Sequence, residues 1–224
     1  MIKYTWSYSS MSTFKQCPRK YHRIKVVKDI KESETEATLY GTEVHKAAEE
    51  YIRDGTPIPA KFEFIKPYLD ILNGIKGDKL CEFKMGLTKE LEPCEFFAEN
   101  VWWRGVADLL VISGDTAFLV DYKTGKSAKY ADTKQLEMLA MAVFRHFPEV
   151  KNIKAGLLFV VSKEFIESEY NIEQQKDSWL TIFGDIHMLE ACYENDVWNA
   201  KPNFSCSRYC PVLDCEHNGM NVRR

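Results

Sequence analysis

The reading of Val101 to Lys126, VWWRGVADLLVISGDTAFLVDYKTGK, decides the fold. Two apolar, β-rich runs meet at Gly114-Asp115, and Gly-Asp between such runs signals a two-residue hairpin. With that pair as the turn, Asp108 stands directly across from Asp121. Directly opposed residues share a face, with Cβ atoms about 4.5–5.5 Å apart. Lys123, two residues beyond Asp121, points to the same face. The hairpin therefore gathers two carboxylates and an amine at one end of an otherwise apolar element. Carboxylates that close repel unless a proton or a cation stands between them, and such oxygen ligands suit a hard divalent ion such as magnesium. Metal-assisted hydrolysis of a phosphate ester fits the set. A surface hairpin with a salt bridge fits it too.

Upstream of the hairpin, Ser9 or Ser10 is placed to cap a first helix, SMSTFKQCPRKYHRI, with Cys17-Pro18 interrupting it. Residues 31–38, KESETEAT, read as a polar loop. A second helix follows in LYGTEVHKAAEEYIRDG, with Thr42 as cap, Gly55 as stop and Val44, Ala47, Ala48 and Tyr51 as its apolar stripe. His45 lies beside that stripe, where a packed histidine and a metal ligand are both admissible. Residues 62–75 are weakly helical. KLCEFKMGLT reads as a strand with Leu80, Glu82 and Lys84 on one face and Cys81, Phe83 and Met85 on the other. Glu82 is then either a third acid of the site or an exposed strand residue.

Downstream, residues 131–147 form the strongest helix, its core face Leu136, Leu139, Ala140 and Val143, with Gln135 near its start. IKAGLLFVVS is a buried strand. A long helix runs from about Gln174 to Trp198, with Trp179, Ile182, Ile186, Leu189 and Tyr193 as its stripe. The order of elements predicts an α/β fold with a central mixed sheet flanked by helices.

The 224 residues suffice for one substantial domain. With 45% hydrophobic and 28% charged residues the composition is that of a soluble globular protein. No apolar run is long enough to span a membrane, and MIKYTWSYSS lacks the apolar core of a secretory signal, so a cytoplasmic setting is expected. A net charge of −3 argues against a protein that coats or packages DNA, while leaving room for a nuclease whose basic residues are local. Lys15, Arg19, Lys20, His22, Arg23, Lys25 and Lys28 form one basic segment, read as a solvated helix face.

Seven cysteines in such a chain do not read as a disulfide framework. In the tail, PNFSCSRYCPVLDCEHNG, Cys206, Cys210 and Cys215 are separated by three and four residues. Three thiols so placed in a loop fit a zinc or an iron–sulfur site. His217 and Cys17 both qualify as fourth ligand, and spacing alone does not separate the two metals.

Taken together, these segments resemble the RecB-like nucleases of the PD-(D/E)XK superfamily, in particular members that carry an iron–sulfur cluster: CRISPR-associated RecB-like exonucleases, the nuclease domain of AddB and small phage-encoded exonucleases. SYSSMSTFKQCPRKY resembles the family's opening cysteine segment, GTEVHKA its histidine motif, RGVADLL its first acidic motif, VDYKTGK its acid-x-lysine motif and QLEMLAMAV its glutamine helix. The triple cysteine closes the series. The resemblance implies one nuclease domain over residues 1–224, in which 1–30 and 200–224 form a metal-cluster lobe joining the two chain ends. It implies that His45, Asp108, Asp121 and the carbonyl of Tyr122 bind magnesium or manganese. Lys123 would activate the attacking water, and Gln135 would support the site and contact DNA. Cys17, Cys206, Cys210 and Cys215 would hold a structural 4Fe-4S cluster, with zinc as the alternative. Two positions depart from the pattern: Leu139 stands where the glutamine helix commonly has tyrosine, and the gap between Cys206 and Cys210 is one residue longer than the common spacing.

The expected activity is a metal-dependent DNA exonuclease acting on single strands or DNA ends in recombination, repair or phage DNA metabolism, in the host cytoplasm if phage-encoded. A helicase or recombination complex is the expected partner. The alternative is a non-catalytic DNA-binding adaptor for a helicase or CRISPR integration complex. Trp102, Trp103, Phe96 and Phe97 are available either to stack on unpaired bases or to pack on the sheet.

Overall fold

The computed structural model describes residues 4–31, 34–129 and 131–219. These fall into two compact units, one spanning 34–179 and the other combining the N-terminal segment with the chain from Leu180 onward.

The larger unit is built on a six-stranded sheet of order β2-β1-β3-β4-β5-β6. The strands are β1 (Asp78–Leu87), β2 (Pro93–Cys94), β3 (Trp103–Ser113), β4 (Thr116–Lys123), β5 (Asn152–Phe159) and β6 (Glu164–Asn171). Only β4 and β5 run parallel, because a helix crosses between them. The two-residue turn lies at Gly114-Asp115, with Gly114 at φ 61°, a value glycine tolerates freely. The pairing from Leu109 with Val120 to Ser113 with Thr116 is the expected register. β2 and β6 were not expected. β2 has two residues, and β6 is an edge strand, EFIESEYN, whose charges hide its alternation.

Two helices precede the sheet in this unit, α3 (Glu36–Asp54) and α4 (Lys66–Asn73), following α1 (Tyr8–Gln16) and α2 (Pro18–Tyr21) of the smaller unit. Thr35 caps α3 and exchanges hydrogen bonds with Thr38. The helix therefore starts before the expected Thr42, which sits inside it and donates to the carbonyl of Thr38. The capping pair sets the start because its reciprocal hydrogen bonds satisfy backbone N–H groups at the helix end, and it lies within the segment expected to be loop, of which residues 32 and 33 fall outside the described residues. Gly55 ends α3 at φ 70°, as expected. Val44, Ala48, Ile52, Phe62, Ile65 and Leu69 bury one sheet face together with Leu109, Val111, Val120 and Tyr122. α5 (Lys134–His146) covers the other face, with Leu136, Leu139, Ala140 and Val143 fully inside.

The expected alternation along β1 breaks at Glu82. Cys81 packs against the α3–α4 cluster. Phe83, two residues on, meets His146 and Phe147 at the far end of α5, with ring centroids 6.1 and 5.5 Å apart. β3 shows the same reversal. Leu109 belongs to the α3–α4 cluster, whereas a Cβ on Gly105 would lie 2.8 Å from Leu139 of α5. The register is unchanged on either side, with Cys81 opposite Leu109 and Phe83 opposite Ala107. Glu82 adopts φ 49°, a left-handed conformation foreign to a strand, and this turns the pleat over opposite Asp108.

In the smaller unit, Ser7, not Ser9 or Ser10, caps α1 (Tyr8–Gln16). Extended backbone at Cys17 ends it, and α2 (Pro18–Tyr21) begins with proline in the first turn. A π-helical turn, His22–Val27, follows. The later part of α6 (Gln175–Asn195) and the tail complete the unit. Trp198 stacks on His22, and Tyr21 bonds Tyr193 between hydroxyls at 3.1 Å. Several basic residues of the first segment are ion-paired: Lys15 with Asp185, Arg19 with Glu216, and Arg23 with Asp29 and Asp214. The segment is therefore less a solvated cationic face than a set of ties between the two chain ends.

Candidate active site

β3 and β4 pair from the turn as far as Leu109 and Val120, then part. β3 continues against β1, and β4 against β5. Asp108 and Asp121 are the first residues beyond the fork. Parting leaves the main-chain groups of Tyr122 without strand partners, and a buried unpaired amide or carbonyl is costly. Both are taken by side chains. Tyr122 N–H donates to Asp108 Oδ2 at 2.7 Å, and His45 Nε2 stands 3.0 Å from the Tyr122 carbonyl.

α3 delivers His45. Gly41, one turn earlier on the same face, is bare where a Cβ would come within 3.3 Å of Thr124 Oγ1, so the helix can approach the end of β4. His45 Nδ1 lies 3.4 Å from Asp108 Oδ2. Burial disfavours the imidazolium, but the hydrogen bond and charge of Asp108, with the charges of Asp121 and Glu82, outweigh it and raise the pKa. The Glu82 carboxyl is also raised, by burial and then by Asp108, with His45 opposing. One ligand atom each from His45, Glu82 and Asp108 lies within 4.8 Å of the other two, a set able to hold a metal ion. Glu82, left open by the sequence, thus belongs with the site. Its left-handed backbone is a local strain of the kind that collects where a side chain must be aimed.

Asp121 is 3% exposed. Burial first, and the neighbouring Asp108 second, hold its carboxyl above the usual range, although Lys123 and His45 pull the other way. Lys123 Nζ is 2.6 Å from Asp121 Oδ2 and donates to Gln135 Oε1 at 2.8 Å. Gln135 Nε2 in turn donates to Asp121 Oδ1 at 2.6 Å. The first turn of α5 therefore closes a ring in which Gln135 fixes the relative positions of acid and amine.

A second group of sequence-predicted residues meets in the smaller unit. Cys17, Cys206, Cys210 and Cys215 line one pocket, together with His217. No disulfide joins these four cysteines. The amide of Lys201 donates to Cys17 Sγ at 3.4 Å and that of Asn203 to Cys206 Sγ at 3.4 Å, and Arg19 Nη1 lies 3.6 Å from Cys215 Sγ.

Of the aromatic residues, Trp102 and Trp103 are buried, so packing accounts for them. Phe97 is 74% exposed.

A family profile described as the PD-(D/E)XK nuclease superfamily matches residues 5–73 and 76–215. No curated protein matches the sequence. Among solved structures, one named "Putative exonuclease" from Eubacterium rectale shares the fold at a TM-score of 0.52 and 12% identity, over 97% of this chain and 88% of that one. Another, SSO0001, aligns at a TM-score of 0.44 and 12% identity, over 97% and 89%. The fork between β3 and β4, the acid and lysine on β4 and a profile match over nearly the whole chain lead to one assignment: the protein belongs to the PD-(D/E)XK nuclease superfamily.

Proposed function

We propose that the protein is a magnesium- or manganese-dependent deoxyribonuclease of RecB-like type that shortens DNA from its ends. The observation that carries this reading is the pairing of a ligand group with an acid–amine ring: His45, Glu82 and Asp108 converge, and Asp121, Lys123 and Gln135 are locked beside them. His45, Glu82, Asp108, Asp121 and the Tyr122 carbonyl would hold the ion. The donor set fits, because it mixes hard carboxylate and carbonyl oxygens with one imidazole. Bound there, a divalent ion supplies an acidified water and neutralises charge developing on the phosphate.

The chain's own residues do the rest. Asp108 and Asp121 concentrate negative charge that a cation must balance. Lys123, oriented by Gln135, holds an ammonium beside Asp121, where it can position the nucleophile and offset charge on the scissile phosphate. Burial of Asp121 keeps its carboxylate out of bulk water, which strengthens its interactions with Lys123 and Gln135.

The cysteine pocket supports a thiolate-bound 4Fe-4S cluster held by Cys17, Cys206, Cys210 and Cys215. Four thiols are present, and three sulfurs face N–H donors. The role of the cluster would be to hold the ends of the chain together.

The test is digestion of end-labelled single- and double-stranded DNA by anaerobically purified protein, with and without magnesium or manganese. Metal-dependent, stepwise shortening that disappears in Asp121→Ala and Lys123→Ala is expected. Folded protein with its cluster intact that leaves DNA whole in both metals would replace the nuclease by a non-catalytic DNA-binding adaptor.

A further inference from the structure

Beyond the pleat reversal, the sheet face on the α3 side carries Lys84, Arg104 and Val106, the residues that alternate with Phe83, Met85 and Gly105. Lys84 is exposed, and Arg104 and Val106 are half-buried. At the edge of this shelf, the turn between β2 and β3 sets Phe96 and Phe97 at right angles, with ring centroids 4.9 Å apart. The guanidinium of Arg104 lies 5.3 Å from the Phe96 ring and 5.1 Å from the Phe97 ring, and Lys84 Nζ lies 5.9 Å from Phe96. Among the described residues neither cation has a carboxylate within ion-pair distance, and Arg104 Nε is buried with no acceptor. This contrasts with the ion-paired Lys15, Arg19 and Arg23 of the smaller unit. Phe97, at 74% exposure, has no packing explanation.

From this shelf we infer that Phe97, backed by Arg104, is a stacking platform for an unpaired base, and that Lys84 receives the phosphate of the same strand on its way to the site. The inference rests on the nuclease reading for its direction and names the substrate's form. A phenyl ring seated on a guanidinium presents its other face to solvent, and a base can cover that face only if it is not already stacked in a duplex. The two unpaired cations supply the charge that a phosphodiester requires. The shelf is continuous with the site. Lys84 is two residues from Glu82, and Arg104 is four residues from Asp108 on the same strand, roughly 13 Å at the usual rise. That distance is the reach of a few stacked nucleotides at about 3.4 Å each. Packing of two phenylalanines alone would leave the cations without a role.

Binding of labelled oligodeoxythymidine and of a blunt hairpin duplex, measured with chelator so that nothing is cut, tests the platform. Phe97→Ala should weaken binding of the single strand about tenfold and leave the duplex within about twofold. Ile71→Ala, which trims an equally exposed side chain from α4 (71%), should bind both as the wild type does. Unchanged single-strand binding in Phe97→Ala, or an equal loss for the duplex, would overturn the assignment. The nuclease reading fails separately. A wild type that cuts nothing in magnesium, while Phe97→Ala still loses the single strand, would sink catalysis and keep the platform. Normal cutting with unaltered binding by Phe97→Ala would do the reverse.

Discussion

The carboxylate of Asp108 accepts the backbone amide of Tyr122 at 2.7 Å, at the point where β3 and β4 stop pairing. One side chain thus serves both the proposed chemistry and the main chain, and the two duties can be separated. Asp108→Ala leaves a buried N–H without an acceptor, a loss of about 1–3 kcal/mol. Asp108→Asn keeps an acceptor oxygen and should retain most of the stability while losing cleavage. Urea unfolding paired with a digestion assay reads both. Equal stability of the two variants would remove the structural duty.

Glu82 sits at φ 49°, where glycine is at ease and other residues are strained. Glu82→Gly should therefore raise the thermal stability of the metal-free protein, by about 1 kcal/mol, while weakening magnesium or manganese binding. Glu82→Gln should weaken metal binding without the gain in stability. Calorimetric titration and melting curves decide. Undiminished metal affinity in both variants would take Glu82 out of the ligand set.

Three groups of the site, His45, Glu82 and Asp121, all have pKa values raised in the fold. A raised group binds more protons folded than unfolded, so its contribution to stability is present at low pH and is lost as pH rises through the folded value. The metal-free protein should accordingly lose stability at this site from about pH 4 upward through Glu82 and Asp121, and from about pH 6.5 upward through His45. Added magnesium should restore it at neutral pH and do little in acid, where the ligands hold protons. Asp121→Asn should flatten that slope. Melting curves across pH, with chelator and with metal, make the comparison. A metal-induced shift of equal size at acid and neutral pH would contradict it.

The cysteine pocket carries its own expectation. Cys17→Ser should lower the iron content of anaerobically purified protein and its melting temperature, with a smaller effect on the rate per folded molecule. Iron analysis and melting curves suffice. Full iron occupancy in Cys17→Ser would point to His217, which lines the same pocket, as the fourth ligand.

Much of this was legible in the chain. Gly114-Asp115 gave the hairpin and its register because a two-residue turn leaves no slack. The motif order placed His45, Asp121, Lys123 and Gln135 on elements that converge. What escaped was of two kinds. The edge strand β6 escaped because exposed charges mask its period, and α3 was begun too late because its capping pair lies in a polar stretch. The reversal at Glu82 escaped for a different reason. Alternation is a property of extended backbone, and nothing in KLCEFKMGLT announces a left-handed residue. Glycine would have announced it, but the position carries glutamate.

The fork has a further consequence. The imidazole of His45 and the carbonyl of Tyr122, both proposed as ligands, lie 3.0 Å apart, within hydrogen-bond distance of each other. On the proposed reading, a phosphodiester that brought its own oxygens to this site would tighten the binding of an ion there, and the ion would tighten the strand by the same factor. DNA itself would then complete the catalyst.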